Sequence, residues 1–173
     1  MNIKYLLLAA ISGSIIAADQ AVKMYVHTHF KLHESIEMIP NLFDITYVRN
    51  TGAAFGFLAD SVPWVREIFF LSMPPIALLI ILAIMRGVLD KDRWTIVSLS
   101  MVFGGAIGNF IDRLRFRYVI DFLDFHVFDR QYVWPAFNIA DMAIVGGVAI
   151  LLFLEFTKER VRTEVKAELP PTT

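Results

Sequence analysis

The sequence predicts an all-α integral membrane protein: a four-transmembrane-helix bundle carrying a small extracytoplasmic β-containing subdomain. Three observations lead there. Hydrophobic residues make up 57% of the chain, well above the share in soluble domains. Four apolar stretches have roughly the 20 residues that a helix needs to cross a hydrocarbon core about 30 Å thick. Between the first two lies "LFDITYVRN", which alternates apolar and polar positions at Phe43, Ile45 and Tyr47 and reads as a strand.

The first span is expected from about Tyr5 to Val26. Lys4 ahead of an apolar run ending in "IIAAD" also resembles a cleaved signal peptide, but cleavage after Ala18 would put Ile16 where a small residue is wanted. The second span, Ile68 to Met85, contains Pro74 and Pro75, which predict a kink that neighbouring helices make tolerable. The third, Trp94 to Ile111, carries "GGAIG", where Gly104 and Gly108 share one side and admit a neighbouring helix. The fourth runs from Ile139 to Phe156. Trp64, Trp94 and Trp134 fall at span ends or in the adjoining loops, as in an aromatic belt.

Residues 1–173 thus read as a single membrane domain with longer loops at about 27–67 and 114–138. In the first loop the strand is followed by the turn-rich "NTGAAFGF" and by "SVPWVREIFF", with Ser61 as the expected helix cap. The short loop "RGVLDKDR" and the tail "KERVRTEVK" are the densest in Lys and Arg, which places both termini in the cytoplasm and the two longer loops outside.

Composition excludes several functions. A formal net charge of -1 provides no basic surface for nucleic acid, and no glycine-rich nucleotide motif is present. The chain has no cysteine, hence no disulfide, thiol nucleophile or thiolate metal site.

Charged residues inside spans cost about 2.5 to 3.5 kcal/mol at the helix centre on insertion scales, which makes them candidates for function. Asp19 and Lys23 stand four apart and can pair on one helical face. Asn109, Asp112 and Arg113 close the third span, Asn138 and Asp141 open the fourth, and Asp121 and Asp124 lie in the otherwise apolar "YVIDFLDF". With the termini inside, all of them gather toward the outer leaflet. Each also has a structural reading. Asp19 and Lys23 could be an ion pair, Asp112 and Arg113 could satisfy one another, and Asn138 could cap the fourth helix while Asp141 favours its N-terminal dipole. Asp44, Asp124 and Asp129 could be solvated loop charges. His27, His29 and His33 have no HExxH motif beside them, and no metal is expected there. Ser12, Ser14, Ser98 and Ser100 lie within spans with no His or Lys arranged as a base, so helix packing accounts for them.

Five motifs in order, "DQAVK" (Asp19 to Lys23), "RNTGAAFG" (Arg49 to Gly56), "GGAIGNFIDRL" (Gly104 to Leu114), "VIDFLDF" (Val119 to Phe125) and "FNIADMAI" (Phe137 to Ile144), resemble those of the bacterial lipoprotein signal peptidases, signal peptidase II. The resemblance covers nearly the whole chain. It implies a membrane aspartic endopeptidase of the bacterial inner membrane, cutting prolipoproteins just before a diacylglyceryl-bearing cysteine. Asp121 and Asp141 match the catalytic dyad, and Asp124 a neighbouring position without that role. Asn50, Gly52, Asn109, Arg113 and Asn138 match polar or turn positions around the active site. Asp19 and Lys23 match the first motif, with a role in fold and substrate positioning, and Asp112 is grouped with these supporting residues. No cofactor and no metal are implied. The implied partners are diacylglyceryl-prolipoproteins, membrane lipids and globomycin-type inhibitors, with no nucleic acid and no obligate protein partner.

The chemistry suits those residue types, because two carboxyl groups sharing one proton can hydrolyse a peptide without metal or covalent nucleophile. Phe55 and Phe57 could contact acyl chains or the signal helix, and Arg113 a headgroup or backbone carbonyl. Two rivals stand beside this reading. A carrier or proton-conducting protein would spread polar residues through the bilayer's depth, whereas here the cytoplasmic half of each span is nearly charge-free. A noncatalytic scaffold would use its Asp and Arg residues only to join helices, so substituting Asp121 or Asp141 would lower folded yield along with any activity.

Overall fold

A computed structural model describes residues 2–52, 62–127 and 132–168. Among these residues, four helices are long and apolar enough to cross a membrane: α1 (Ile3–His29), α2 (Pro63–Gly87), α3 (Arg93–Phe116) and α4 (Ile139–Glu168). Each outruns its predicted span. Asn2 accepts from the Lys4 N–H at 3.3 Å ahead of α1, and Asp92 accepts from that of Thr95 at 3.3 Å ahead of α3. Arg117, with φ 66°, ends α3 in the left-handed conformation. The α2 helix is continuous through Pro74 and Pro75. Its cap is Val62, and Pro63 opens the helix where a missing N–H is harmless; Ser61 lies outside the described residues. The α4 helix continues well past the expected end at Phe156.

Lipid tails are as apolar as leucine, so the bundle needs close packing and buried polar bonds to hold together. The most buried of the four spans is α3. Gly104 lies against the Ser12 backbone of α1, and Gly105 lies against the Ala140 carbonyl of α4; neither position has room for a Cβ. The predicted close approach at Gly104 and Gly108 is therefore present, and Gly105 supplies another. At one end of the bundle Leu8, Ile81, Met85, Ile96 and Leu99 form a core. There Lys4 Nζ donates to the carbonyls of Arg86 at 3.0 Å and Val88 at 2.9 Å, and Lys158 lies 3.7 Å from Asp92. The start of α1, the α2–α3 turn and the outgoing part of α4 thus share one side.

The other side carries an antiparallel sheet of β1 (Ser35–Ile39), β2 (Phe43–Asn50), β3 (Val119–Val127) and β4 (Tyr132–Val133), in the order β1-β2-β3-β4. The sequence predicted only β2. Apolar alternation does not reveal β3, because Val119 to Phe122 are all buried and the strand has no solvated face there. A register shift between Ile45 and Val48 also breaks the alternation expected in β2. That strand buries Asp44, Thr46 and Tyr47 rather than the Phe43, Ile45 and Tyr47 face. Asp44 and Asp124 are consequently not solvated charges, at 5% and 7% exposure. Asp129 lies outside the described residues. Val26, Tyr47, Ile120 and Phe122 form the core between sheet and helices.

Candidate active site

Asp121 and Asp124 stand three apart on β3, with a bulge between them where the Phe122 and Leu123 N–H groups both donate to the Phe137 carbonyl, at 3.0 and 2.9 Å. Asp121 pairs across the sheet with Val48 of β2. Beyond Leu123 the chain returns, and Phe137 exchanges backbone bonds with Leu123, donating to its carbonyl at 3.0 Å and accepting at 2.9 Å. This docks the segment entering α4 onto β3 and brings the next residue, Asn138, to Asp121.

Asn138 is the cap of α4. Its Oδ1 accepts from the Asp141 N–H at 2.9 Å, and its own N–H donates to Asp141 Oδ2 at 3.2 Å, a reciprocal capping box. Its remaining side-chain amine donates to Asp121 Oδ1 at 2.6 Å. Asn50, at the end of β2, donates to Asp121 Oδ2 at 3.0 Å and accepts from the Gly52 N–H at 2.8 Å. Gly52 adopts φ 101°, a conformation that side chains disfavour, and packs against Phe70 with no room for a Cβ. Asn109 donates to Asp141 Oδ1 at 2.7 Å. Each of the four oxygens of Asp121 and Asp141 thus accepts a hydrogen bond.

The environments of the two carboxyl groups differ. Asp121 is 1% exposed, whereas Asp141 is only partly buried. Burial, followed by the negative charge of Asp141, pushes the Asp121 carboxyl up to about 7, while the bonds from Asn50 and Asn138 favour its ionised form and pull the other way.

A layer of fully buried charge adjoins the pair. Lys23 Nζ lies 2.8 Å from Asp19 and 3.0 Å from Asp112, and donates to Asn109 Oδ1 at 2.9 Å. Asp112 therefore pairs with Lys23, across two helices, rather than with its neighbour Arg113. Arg113 instead lies over the Phe70 ring at 5.1 Å, and its charge interacts with Asp141, Asp121 and Asp112. Gln20 was missed in the sequence, although it stands inside "DQAVK". It donates to Asp112 Oδ1 at 2.8 Å and to the Gly108 carbonyl at 3.1 Å. The structure joins Asp19, Lys23, Asn50, Asn109, Asp112, Asp121, Asn138 and Asp141 in one network, with Gly52 attached through Asn50 and Arg113 alongside. Phe55 and Phe57 lie outside the described residues.

His27 and His29, in the last turn of α1, and His33 beyond it are engaged separately. His27 Nδ1 is 2.6 Å from the Tyr47 hydroxyl, His29 stacks on Tyr25, and His33 turns the chain with φ 66°. Among the described residues, the group that could hold a metal is Asp44, Asp124 and His126, whose ligating atoms lie within 4.8 Å of one another. Within it His126 Nε2 lies 3.9 Å from Asp44 Oδ1.

A family model described as Signal peptidase (SPase) II matches residues 11–157. The lipoprotein signal peptidase of Syntrophus aciditrophicus (strain SB) is 44% identical over 152 residues, covering 88% of this chain and 93% of that one. The lipoprotein signal peptidase of Geobacter metallireducens is 42% identical over 160 residues, covering 92% and 96%. A solved structure described as a bacterial membrane enzyme, determined by the in meso method at 1.9 Å resolution, superposes with a TM-score of 0.74 at 33% identity and covers 85% of this chain and 90% of its own.

Proposed function

The chain belongs to the signal peptidase II family, and from that premise we propose that it removes the signal peptide of diacylglyceryl-modified prolipoproteins, cutting just before the lipid-bearing cysteine, with Asp121 and Asp141 as its catalytic pair. The observation that carries the site assignment is Asn138, bonded to Asp121 at 2.6 Å and to Asp141 at 2.9 and 3.2 Å, which ties one buried and one accessible carboxyl group together.

The shared proton resides on Asp121, the more buried member. Asp141, ionised and reachable, takes a proton from water, and the water oxygen attacks the scissile carbonyl carbon. Asp121 gives its proton to the carbonyl oxygen, forming a neutral diol. Asp141 then passes its proton to the departing amine of the lipidated cysteine, the C–N bond breaks, and Asp121 recovers a proton from the diol hydroxyl as the new carboxyl forms. The Asn50, Asn109 and Asn138 amides hold both carboxyl groups in one geometry throughout.

The protein sits in the bacterial inner membrane with both termini cytoplasmic and the site toward the outer leaflet, where a diacylated cysteine is held. Two features support this placement. The Lys- and Arg-dense segments lie on the side of the α2–α3 turn, and the polar network gathers at the opposite ends of the helices. A cyclic peptide of the globomycin type is expected to occupy the pair and stop cleavage.

The test is cleavage of a diacylglyceryl-modified prolipoprotein by purified protein in detergent, with a chelator present. The parent cuts, whereas Asp121→Asn and Asp141→Asn at matched folded yield do not. A parent that fails to cut overturns the activity, and two dyad variants that still cut overturn the site.

A further inference from the structure

Asp19, Lys23 and Asp112 are fully buried. A buried carboxylate–ammonium–carboxylate group is not a stabiliser in itself, because desolvating three charges offsets their attraction. Its remaining bonds point to another use. Asp112 Oδ2 accepts from the backbone N–H of Ile120 at 3.0 Å, the residue immediately before Asp121. Asp19 Oδ1 accepts from the backbone N–H of Ala140 at 2.9 Å, the residue immediately before Asp141. Lys23 lies between the two carboxylates and also donates to Asn109, whose amide holds Asp141 Oδ1 at 2.7 Å. Three acceptors match the three protons of an ammonium group.

We propose that Lys23 is a positioning residue that sets the separation of Asp121 and Asp141: through Asp112 and Asp19 it fixes the backbone ahead of each, and through Asn109 it fixes the Asp141 carboxylate. The inference rests on reading those two aspartates as the catalytic pair. Lys23 and Asp19 belong to α1 and Asp112 and Asn109 to α3, so one ammonium links the helix that anchors α4 to the helix that anchors β3. Without that link each anchor is still made, but the distance between them is free to drift. A displacement of about 1 Å in a reacting group can lower a rate roughly 10²-fold.

Steady-state kinetics of the full chain in detergent, on a diacylglyceryl-modified prolipoprotein and normalised to folded protein, test the role with two variants. Lys23→Met keeps a stem of similar length without donors. The double variant Lys23→Met/Asp112→Asn removes the ammonium together with one of its two carboxylates and keeps an oxygen for the Ile120 N–H; it decides the matter where Lys23→Met alone does not fold. The expected result is a kcat lowered roughly 10²-fold with KM within about threefold of the parent. An ion pair that only glues helices would lower folded yield and leave the kcat of the folded fraction parental, which overturns the proposal. Asp121→Asn and Asp141→Asn measured alongside separate the two failures. If they still cut, the catalytic pair is wrong; if they are inactive while Lys23→Met or the double variant keeps its kcat, only the positioning role is wrong.

Discussion

Asn138 and Asp141 hold one another reciprocally, side chain to backbone in both directions, at 2.9 and 3.2 Å. The box that starts α4 is therefore also the spacer between the carboxyl groups, because the amine left over on Asn138 goes to Asp121. Capping and site support, which read in the sequence as alternatives, are two functions of one amide.

Those functions can be separated. Asn138→Ser keeps an oxygen for the Asp141 N–H but loses the donor to Asp121. Both variants leave buried Asp121 Oδ1 without its amide, so both should lose stability and kcat, but Asn138→Ala, which also loses the cap, should lose about 1 kcal/mol more stability than Asn138→Ser. Thermal unfolding in detergent beside cleavage kinetics checks both. Equal loss of stability in the two variants would remove the capping part of the argument.

Activity should depend on pH through Asp121. Cleavage needs one proton on the pair, so kcat/KM should fall as pH rises through about 7. The Asn50 bond favours the ionised form, so Asn50→Ala should move that limb to higher pH. The stability sign follows from the same shift. The folded carboxyl titrates near 7 and the unfolded one near 3.8, so between those values the folded state binds more protons. Stability from this group is present at low pH and declines as pH rises from about 4 to about 7. Asp121→Asn should accordingly gain stability relative to the parent at pH 8 and not at pH 4, as thermal melts at the two pH values would show.

Asp124→Asn should keep cleavage within about threefold of the parent, since its carboxyl is grouped with Asp44 and His126, whose ligating atoms all lie within 4.8 Å of one another, and not with Asp121 and Asp141. Asp124 is buried beside Asp44 and His126, so the substitution should lower stability by about 1 to 3 kcal/mol. A loss of activity per folded molecule comparable to that of Asp121→Asn would contradict the separation of that group from the catalytic pair.

The spans and the polar layer were legible in the sequence because apolar length and intramembrane charge are local signals. Asp19 and Lys23, four apart on one helix, could be paired on paper. The other half of the network could not, because Lys23 meets Asp112 only after α1 crosses α3. The burial of Asp44 was hidden for a similar reason: it depends on a register shift between β2 and β3 that involves residues far apart in the chain. The sequence also suggested that Asp112 and Arg113 satisfy each other, but adjacent positions on a helix diverge by about 100° and their side chains reach different neighbours.

The close approach of α3 and α4 predicts a contrast between two glycines. A Cβ at Gly105 would run into the Ala140 carbonyl, and Ala140 sits directly ahead of Asp141. Backbone cannot swing aside as a side chain can, so Gly105→Ala must wedge the first turn of α4 off α3. At Gly13 of α1 a Cβ would meet nothing within 4 Å. There the same substitution removes only the flexibility of glycine and should stabilise by roughly 0.5 to 1 kcal/mol. Gly105→Ala should instead cost about 1 to 3 kcal/mol, the usual range for overpacking. It should also lower kcat per folded molecule, because the wedge displaces Asp141 from the Asn109 and Asn138 amides. Melting temperature and cleavage rate of the two variants, measured together, would decide it. A Gly105→Ala protein with parental kcat would mean that the α3–α4 spacing does not set the position of Asp141.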